Sequence, residues 1–411
     1  MMKNDNRQST ILLVPQNRLG TKGLILFISL MGMFIPLSID LYLPAMPTMA
    51  TYFQTTASLV NLTLIAFYFF FAAGILIFGP LSDKYGRKPI LILCLILYTA
   101  GSLACALSLS IYQLILFRIV QSLGAGGIMA ISTALVKDCF SGKLKSKVLA
   151  IIQAMGVIAP MVAPLVGAAI LRIAEWRETF FLLALIGILT FIGALLFEET
   201  LPETGRYAGG VGGSLVRLLA VGKNIGFSSF LFVAAMLAAP YMAYVTVSSY
   251  VYQNYFVLDA QTYSYYFALN SALAVLGPIL YICSIGRLSA KAFSWCCFGI
   301  ALFSGLCVLT VGNHSPLIFL LAYMPFTLVE GAIRPFSTNI LLDQQSEDIG
   351  SASSLINAVH TILGSIGMAV GSLAWSNMIH GLGIIMIFAT AMAIVVWIIL
   401  LGSKIKIDGL L

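Results

Sequence analysis

A chain of 411 residues that is 60% apolar and only 9% charged, with a mean hydropathy of +1.01, lacks the polar residues to cover a water-facing surface, since an ordinary soluble domain carries about 25% charge. This composition excludes a soluble enzyme, a disulfide-stapled secreted scaffold, a disordered protein and a nucleic-acid binder, and it points to a polytopic membrane protein. The formal charge of +7 has to be judged by where the charges lie.

A spanning helix needs about 20 predominantly apolar residues. Twelve such runs occur, near 23–47, 57–80, 88–108, 111–135, 147–171, 178–198, 226–251, 263–286, 292–312, 316–340, 350–374 and 381–402. They divide the chain into an N-terminal tail (1–22), a first six-helix bundle (23–198), a polar, Gly-rich central loop (199–225), a second six-helix bundle (226–402) and a C-terminal tail (403–411). The first run is too long for a signal peptide and lacks a small-residue cleavage pattern, so it reads as retained. Basic residues near span ends stay on the cytoplasmic side. With the N-terminus inside, 18 of the 22 Lys and Arg fall in cytoplasmic segments, two (Arg172 and Arg177) fall outside, and two (Arg118 and Arg334) lie within apolar runs. Both termini are therefore expected in the cytoplasm, and the +7 records orientation rather than an anionic partner. The seven cysteines form no C-x-x-C pair and read as small buried hydrophobes.

The first run contains Asp40 between Pro36 and Pro44. Prolines in a spanning helix are tolerated where freed carbonyls face protein or a water-filled cavity, which places this carboxylate beside an aqueous route. Ionisable groups at bilayer depth are functional candidates by default. Asp40 stands seven residues before the outer end at Pro47, and Arg118 stands seven residues after the outer start of the fourth run at Ile111, so both lie roughly 10 Å below the surface. The expectation is a pair, with Asp40 as proton carrier and Arg118 as its counter-charge. Burial and the neighbouring cation act on such a carboxyl in opposite directions, and opening the cavity to either side alters both.

The loop after the second run reads Gly79-Pro80-Leu81-Ser82-Asp83-Lys84-Tyr85-Gly86-Arg87-Lys88. Gly79 permits close approach, Gly86 permits a tight turn, and Asp83 can face a helix N-terminus or a basic partner. The fourth run carries Arg118-Ile119-Val120-Gln121-Ser122-Leu123-Gly124, and the fifth carries Gly156, Pro160, Pro164 and Gly167, whose prolines should kink the helix. The loop resembles the cytoplasmic loop motif of the major facilitator superfamily, with Lys84 where Arg is more usual. The fourth run resembles that superfamily's R-x-x-Q-x-x-G segment, whose Arg is implicated in proton coupling. The fifth resembles the antiporter motif found in its exporters, with Ala168 in place of the second Gly. Asp40-Leu41-Tyr42-Leu43-Pro44-Ala45-Met46-Pro47, the pair Lys137-Asp138, Trp176-Arg177 with Phe180, and Glu199-Thr200-Leu201-Pro202 resemble the bicyclomycin/chloramphenicol-resistance (Bcr/CflA) branch of drug exporters.

The resemblance is dense over 36–202; in the second half it rests on helix count and a degenerate Gly286-Arg287. It implies an all-α polytopic membrane protein with twelve transmembrane helices in two six-helix halves, the major facilitator fold. It also implies an inner-side latch formed by Asp83 and Arg87 in the outward-open state, and drug efflux driven by a proton gradient without a cofactor.

In two-half transporters the substrate site lies near the midplane between the halves. The lining expected there comprises Tyr42, Asn61, Tyr68, Met155, Tyr241, Tyr244, Tyr266, Asn270, Tyr323, Phe326, Glu330 and Asn357. Each Tyr alone reads as packing, and together several are expected to line the cavity, because aromatic bodies with polar tips and an adaptable Met suit amphipathic small molecules. His360 reads as a helix–helix hydrogen-bond donor. Glu330 and Arg334 share one helix face at i, i+4; they read first as a structural ion pair, with a coupling role left open. Pairing both acids with arginines leaves no spare carboxylate for a permanent cation, so neutral or weakly charged, chloramphenicol-like substrates are expected. The expected partners are thus a small drug, protons and membrane lipid, with the chain acting as a monomer in the cytoplasmic membrane. A superfamily uptake symporter is the alternative. An enzyme would need a nucleophile–base or metal constellation at depth, and the three histidines with no HExxH or P-loop do not supply one.

Overall fold

The structure, a computed structural model, describes residues 13–202, 206, 220–344, 349–403 and 405. Twelve helices are long and apolar enough to cross a membrane: α1 (Gly20–Tyr52), α2 (Ala57–Tyr85), α3 (Arg87–Ala106), α4 (Ile111–Cys139), α5 (Gly142–Leu171), α6 (Arg177–Leu196), α7 (Ile225–Tyr255), α8 (Ala260–Ser284), α9 (Ala290–Val311), α10 (Pro316–Asp343), α11 (Ile349–Gly371) and α12 (Met378–Gly402). All twelve expected spans are present. Residues 203–205 and 207–219 of the central loop, and the basic residues Lys3, Arg7, Arg217, Lys404 and Lys406, lie outside the described residues.

One end of the bundle gathers Lys84, Arg87, Lys88, Lys137, Arg287 and Lys291, and is here termed the basic face. At the opposite face the chain re-enters the bundle six times. Five of these re-entering helices open on a side-chain cap: Thr56, Ser110, Asp259, Ser315 and Asn377 accept from backbone N–H groups of the first turn. Such caps satisfy donors that a helix start would otherwise leave unpaired at the membrane boundary. The N-terminal tail is docked from Leu13 onward. Leu13 N–H donates to the Cys139 carbonyl at 2.8 Å, and the buried Gln16 side chain bonds the Glu198 carbonyl and N–H at 3.0 and 2.8 Å.

Small residues set the helix spacing within the first half. A Cβ on Gly126 would lie 2.3 Å from the Phe71 carbonyl oxygen of α2, and one on Gly124 would lie 2.6 Å from that of Cys94 in α3. The Gly-rich stretch of α4 is therefore the seam on which α2 and α3 pack, the close approach that small residues permit in membranes. Between the halves, α2 packs on α11 and α5 on α8. Of the cysteines, Cys94, Cys105, Cys139 and Cys297 are buried as expected, whereas Cys283 and Cys296 are exposed on the bundle's outside, where an apolar solvent makes burial unnecessary.

α1 is interrupted. Helical segments Gly20–Gly32 and Phe34–Asp40 are followed by a 3-10 turn, Leu43–Ala45, and a last segment, Met46–Tyr52. Pro36 and Pro44 remove donors on either side of Asp40, and the break falls directly after that residue. α5, by contrast, runs as one helix through both Pro160 and Pro164.

Candidate functional site

A cavity of about 980 Å³ lies between the halves and runs from Asp40 at mid-depth to Asp83, Arg87, Lys137 and Asp138 at the basic face. Its middle is walled by Ile35, Ile39, Tyr68 and Phe71 from the first half, with Gly156 and Pro160 from α5. The second half contributes Tyr241, Met242, Val245, Phe267, Arg334, Asn357 and Thr361. The opposite face is shut. Gln253 Nε2 donates to the Pro44 carbonyl at 3.0 Å, Ser264 Oγ to the Pro164 carbonyl at 2.9 Å, and Ser58 Oγ to the Ser372 carbonyl. These are the three side-chain hydrogen bonds that join the halves among the described residues, and all three lie at this face. The molecule is therefore open to the basic face only.

Asp40 is 6% exposed and lines the cavity, and among the described residues its carboxylate has neither a hydrogen-bond donor nor an ion-pair partner. The expected pair with Arg118 is not formed. Arg118 is fully buried inside the first half, where its guanidinium donates to Gln121 Oε1 at 2.7 Å and to Tyr42 Oη at 3.3 Å. It also stacks over Phe67, Tyr42 and Phe180, with centroid distances of 4.1, 4.6 and 5.7 Å. Gln121 in turn donates to Ser102 at 2.7 Å, so the R-x-x-Q spacing closes an i, i+3 bond that orients the cation. The reason for the separation is geometric. α1 continues to Tyr52, not Pro47, so Asp40 lies about 18 Å along the axis from the outer end while Arg118 lies about 10 Å from its own. The break after Asp40 then turns Tyr42, not Asp40, toward Arg118.

Glu330 and Arg334 also differ from expectation. They lie within electrostatic range of each other but farther apart than an ion pair's 4.0 Å. Arg334 is exposed on the cavity wall, whereas Glu330 is off the wall and within electrostatic range of Tyr241 and Tyr323.

Of the residues expected to contact substrate, Tyr68, Tyr241 and Asn357 stand on the cavity wall. Tyr42 and Asn61 are buried within the first half, Tyr42 bonded to Thr63 at 3.0 Å, and Met155 and Glu330 are off the wall. Tyr244, Tyr323 and Phe326 form a packed aromatic column, with Tyr244 and Tyr323 stacked at 4.0 Å. Tyr266 stacks on Tyr252 at 5.0 Å, and Asn270 accepts from Thr327 at 2.8 Å. Packing holds these side chains inside the second half and none of them lines the cavity, although the buried Tyr244 and Tyr323 hydroxyls have no hydrogen-bond partner there. His360 is buried with Nε2 unbonded, so it makes no donor bond there. Met242, Val245, Phe267 and Thr361 were not foreseen, because apolar residues, and a Thr whose hydroxyl bonds its own helix at the Asn357 carbonyl, carry no sequence signal that separates a cavity wall from core.

At the basic face, Arg87 donates to Asp138 at 2.9 Å, to Ser82 at 2.7 Å and to Asp83 at 2.5 Å. Glu199 accepts from the N–H groups of Arg87, Lys88, Thr200 and Leu201 at 2.9–3.0 Å. Gly86, at φ +102°, leaves its side open to that carboxylate, for a Cβ would lie 2.6 Å from Glu199 Oε2. These bonds all close within the first half, and among the described residues none of them ties the two halves together in this state, open to the basic face. Gly79 meets only Ala130, at an ordinary 3.7 Å, and Gly156 meets nothing, whereas a Cβ on Gly167 would lie 1.8 Å from the Leu41 carbonyl oxygen. Among the described residues, no three His, Cys, Asp or Glu side chains converge as metal ligands.

The arrangement, two six-helix halves enclosing a cavity with a single acid, Asp40, at mid-depth on its wall, is matched by known proteins. The profile of the Major Facilitator Superfamily matches residues 24–368. An uncharacterized MFS-type transporter of Bacillus subtilis, YdgK, is 31% identical over 85% of this chain and 88% of its own. A bicyclomycin resistance protein homolog of Haemophilus influenzae is 26% identical over 86% and 88%. The xylose transporter XylE from E. coli superposes with a TM-score of 0.70 at 12% identity, over 94% of this chain and 98% of its own, and so shares the fold. The chain belongs to the major facilitator superfamily of membrane transporters.

Proposed function

We propose that the protein exports small amphipathic drugs across the cytoplasmic membrane in exchange for protons, by alternating access, as a monomer that needs no cofactor. The observation that carries this reading is the unpaired Asp40 carboxylate on the wall of a cavity open to one face only. The concentration of Lys and Arg at that face supports its being cytoplasmic. A buried carboxyl without a fixed partner changes its proton affinity when the cavity opens to the other side, which supports its role as the proton carrier. Arg118, held apart by Tyr42 and Gln121, is then a fixed positive charge in the first half and not a direct ion-pair partner in this state. The aromatic and aliphatic wall suits amphipathic molecules, and the similarity to a protein named for bicyclomycin resistance supports drugs as the cargo.

Everted membrane vesicles test the proposal. Chloramphenicol added to energised vesicles containing the protein should dissipate the pH gradient, and Asp40→Asn should abolish this while leaving the protein folded. Full proton-driven exchange by Asp40→Asn would refute the assignment of Asp40. No exchange and no raised resistance with any of a panel of neutral, zwitterionic and cationic drugs would refute drug export.

A further inference from the structure

At bilayer depth the cavity carries a second unpaired charge besides Asp40, and it belongs to the other half. Arg334 of α10 is exposed to the cavity, and among the described residues its guanidinium makes no hydrogen bond or ion pair. Glu330, one turn earlier, stays beyond ion-pair distance. Tyr68 and Tyr241 line the same cavity, and Tyr68 is inside the electrostatic range of both charges and of Glu330. At mid-depth the cavity thus presents one carboxylate on the first half and one guanidinium on the second, separated by aromatic and aliphatic wall. Asn357 and Thr361 of α11 are the neighbouring neutral polar groups.

A guanidinium held at bilayer depth is costly to desolvate, stays charged at every accessible pH, and presents a planar fork of donors matched to carboxylates and similar acceptors. Exposed in this state, with Glu330 in electrostatic range but beyond ion-pair distance, it has no direct hydrogen-bond or ion-pair partner among the described residues that would account for its place.

We propose that Arg334 is a substrate-recognition residue. It engages an anionic or strongly accepting group of the drug, so that the cavity favours dipolar, net-neutral amphiphiles, with the cationic or donor end toward Asp40. This refines the expectation of neutral cargo, because the two intramembrane charges that face the cavity are not paired with each other's neighbours but are both available to a ligand. The proposal rests on the drug-export reading.

The test uses the purified full chain in detergent and a matched pair of probes, norfloxacin, a zwitterion, and its methyl ester, which lacks the anion. Chloramphenicol serves as a third ligand. Binding is measured by calorimetry for the wild type, Arg334→Gln and Arg334→Lys. Because charge-assisted hydrogen bonds discriminate by about tenfold or more, the wild type should bind the acid about tenfold more tightly than the ester. Arg334→Gln should bring the two together by weakening the acid alone, and Arg334→Lys, which keeps the charge without the fork, should give an intermediate ratio. Equal affinity of acid and ester for the wild type, an unchanged ratio in both variants, or binding of chloramphenicol alone overturns the inference and leaves drug export standing. Failure of all three compounds to bind the wild type overturns both.

Discussion

Gly167→Ala is expected to loosen the first half. The new Cβ would sit 1.8 Å from the Leu41 carbonyl oxygen and 2.9 Å from its carbon. Both atoms are backbone, so no rotamer change relieves the clash. Restoring even a 3.0 Å contact requires α5 and α1 to separate by about 1.2 Å, and overpacking of this kind costs about 1–3 kcal/mol, with backbone-on-backbone contacts at the upper end. The helix propensity gained on replacing Gly by Ala, about 0.8–1.0 kcal/mol, offsets part of this and leaves a net loss of about 2 kcal/mol. Gly156→Ala is the internal control. It belongs to the same motif, eleven residues earlier, but its Cβ would meet nothing within 4 Å, so it keeps the propensity gain without the clash. Thermal unfolding in detergent should show Gly167→Ala melting below the wild type and Gly156→Ala at or above it. Because Leu41 follows Asp40 directly, exchange activity should fall in Gly167→Ala as well. Equal melting temperatures for the two variants would refute the reasoning.

Glu199→Ala should lower the melting temperature by removing the cap shared by the first N–H groups of α3 and the turn after α6. Loss of such a cap costs about 0.5–2 kcal/mol, and an unchanged melting temperature would count against the cap. Asp259, at the N-terminus of α8 outside the spans, has its carboxyl held below the ordinary value of 3.8, chiefly by the Thr262 N–H. A depressed folded value means that its contribution is fully present above about pH 3.8 and is lost as the pH falls through the folded value. Asp259→Asn should therefore reduce the fall in melting temperature between pH 6 and pH 3, and an undiminished fall would exclude this residue as a contributor. Gln253→Ala removes one of the hydrogen bonds that shut the opposite face, worth about 0.5–1.5 kcal/mol net, which raises the ratio of molecules open at that face to molecules open at the basic face about 2- to 13-fold. Spin-label distances across that face should report a larger long-distance population, and an unaltered distribution would show that the bond does not contribute.

The twelve spans were legible because each is a long apolar run, and the loop motif was legible because Gly86, Asp83 and Arg87 serve one compact network. Arg118 and Gln121 were likewise readable, since their spacing is an i, i+3 hydrogen bond. The partner of Asp40 was not. Pro44 and Pro47 look like the end of a helix, yet a 3-10 turn carries the chain on to Tyr52, and that shift of one to two turns placed Asp40 at the wrong depth. The lining of the cavity was legible only in part. A helix of a membrane bundle is apolar on every side, so its moment does not say which face meets lipid, core or cavity. Tyr68 and Tyr244 are equivalent in sequence terms; one stands on the wall and the other stacks inside the aromatic column.

The strength of the shut face bears on how a proton can open it. Three side-chain hydrogen bonds at about 0.5–1.5 kcal/mol each amount to a few kcal/mol, comparable with the about 2.3 kcal/mol that one charge gains across 100 mV. Their placement matters as much as their number. Pro44, whose carbonyl receives Gln253, is four residues beyond Asp40, and the chain between them is the interrupted part of α1. Leu41 abuts Gly167 of α5, three residues beyond Pro164, whose carbonyl receives Ser264. Two of the three bonds are thus anchored on the segment that follows Asp40 or on the helix packed against it. The third, Ser58 to Ser372, joins α2 and the end of α11 and is free of that segment. A shift of α1 at its break, whether driven by the charge of Asp40 or by a drug beside it, strains the first two bonds together and leaves the third, with the helix packing of α2 on α11, to hold the face closed.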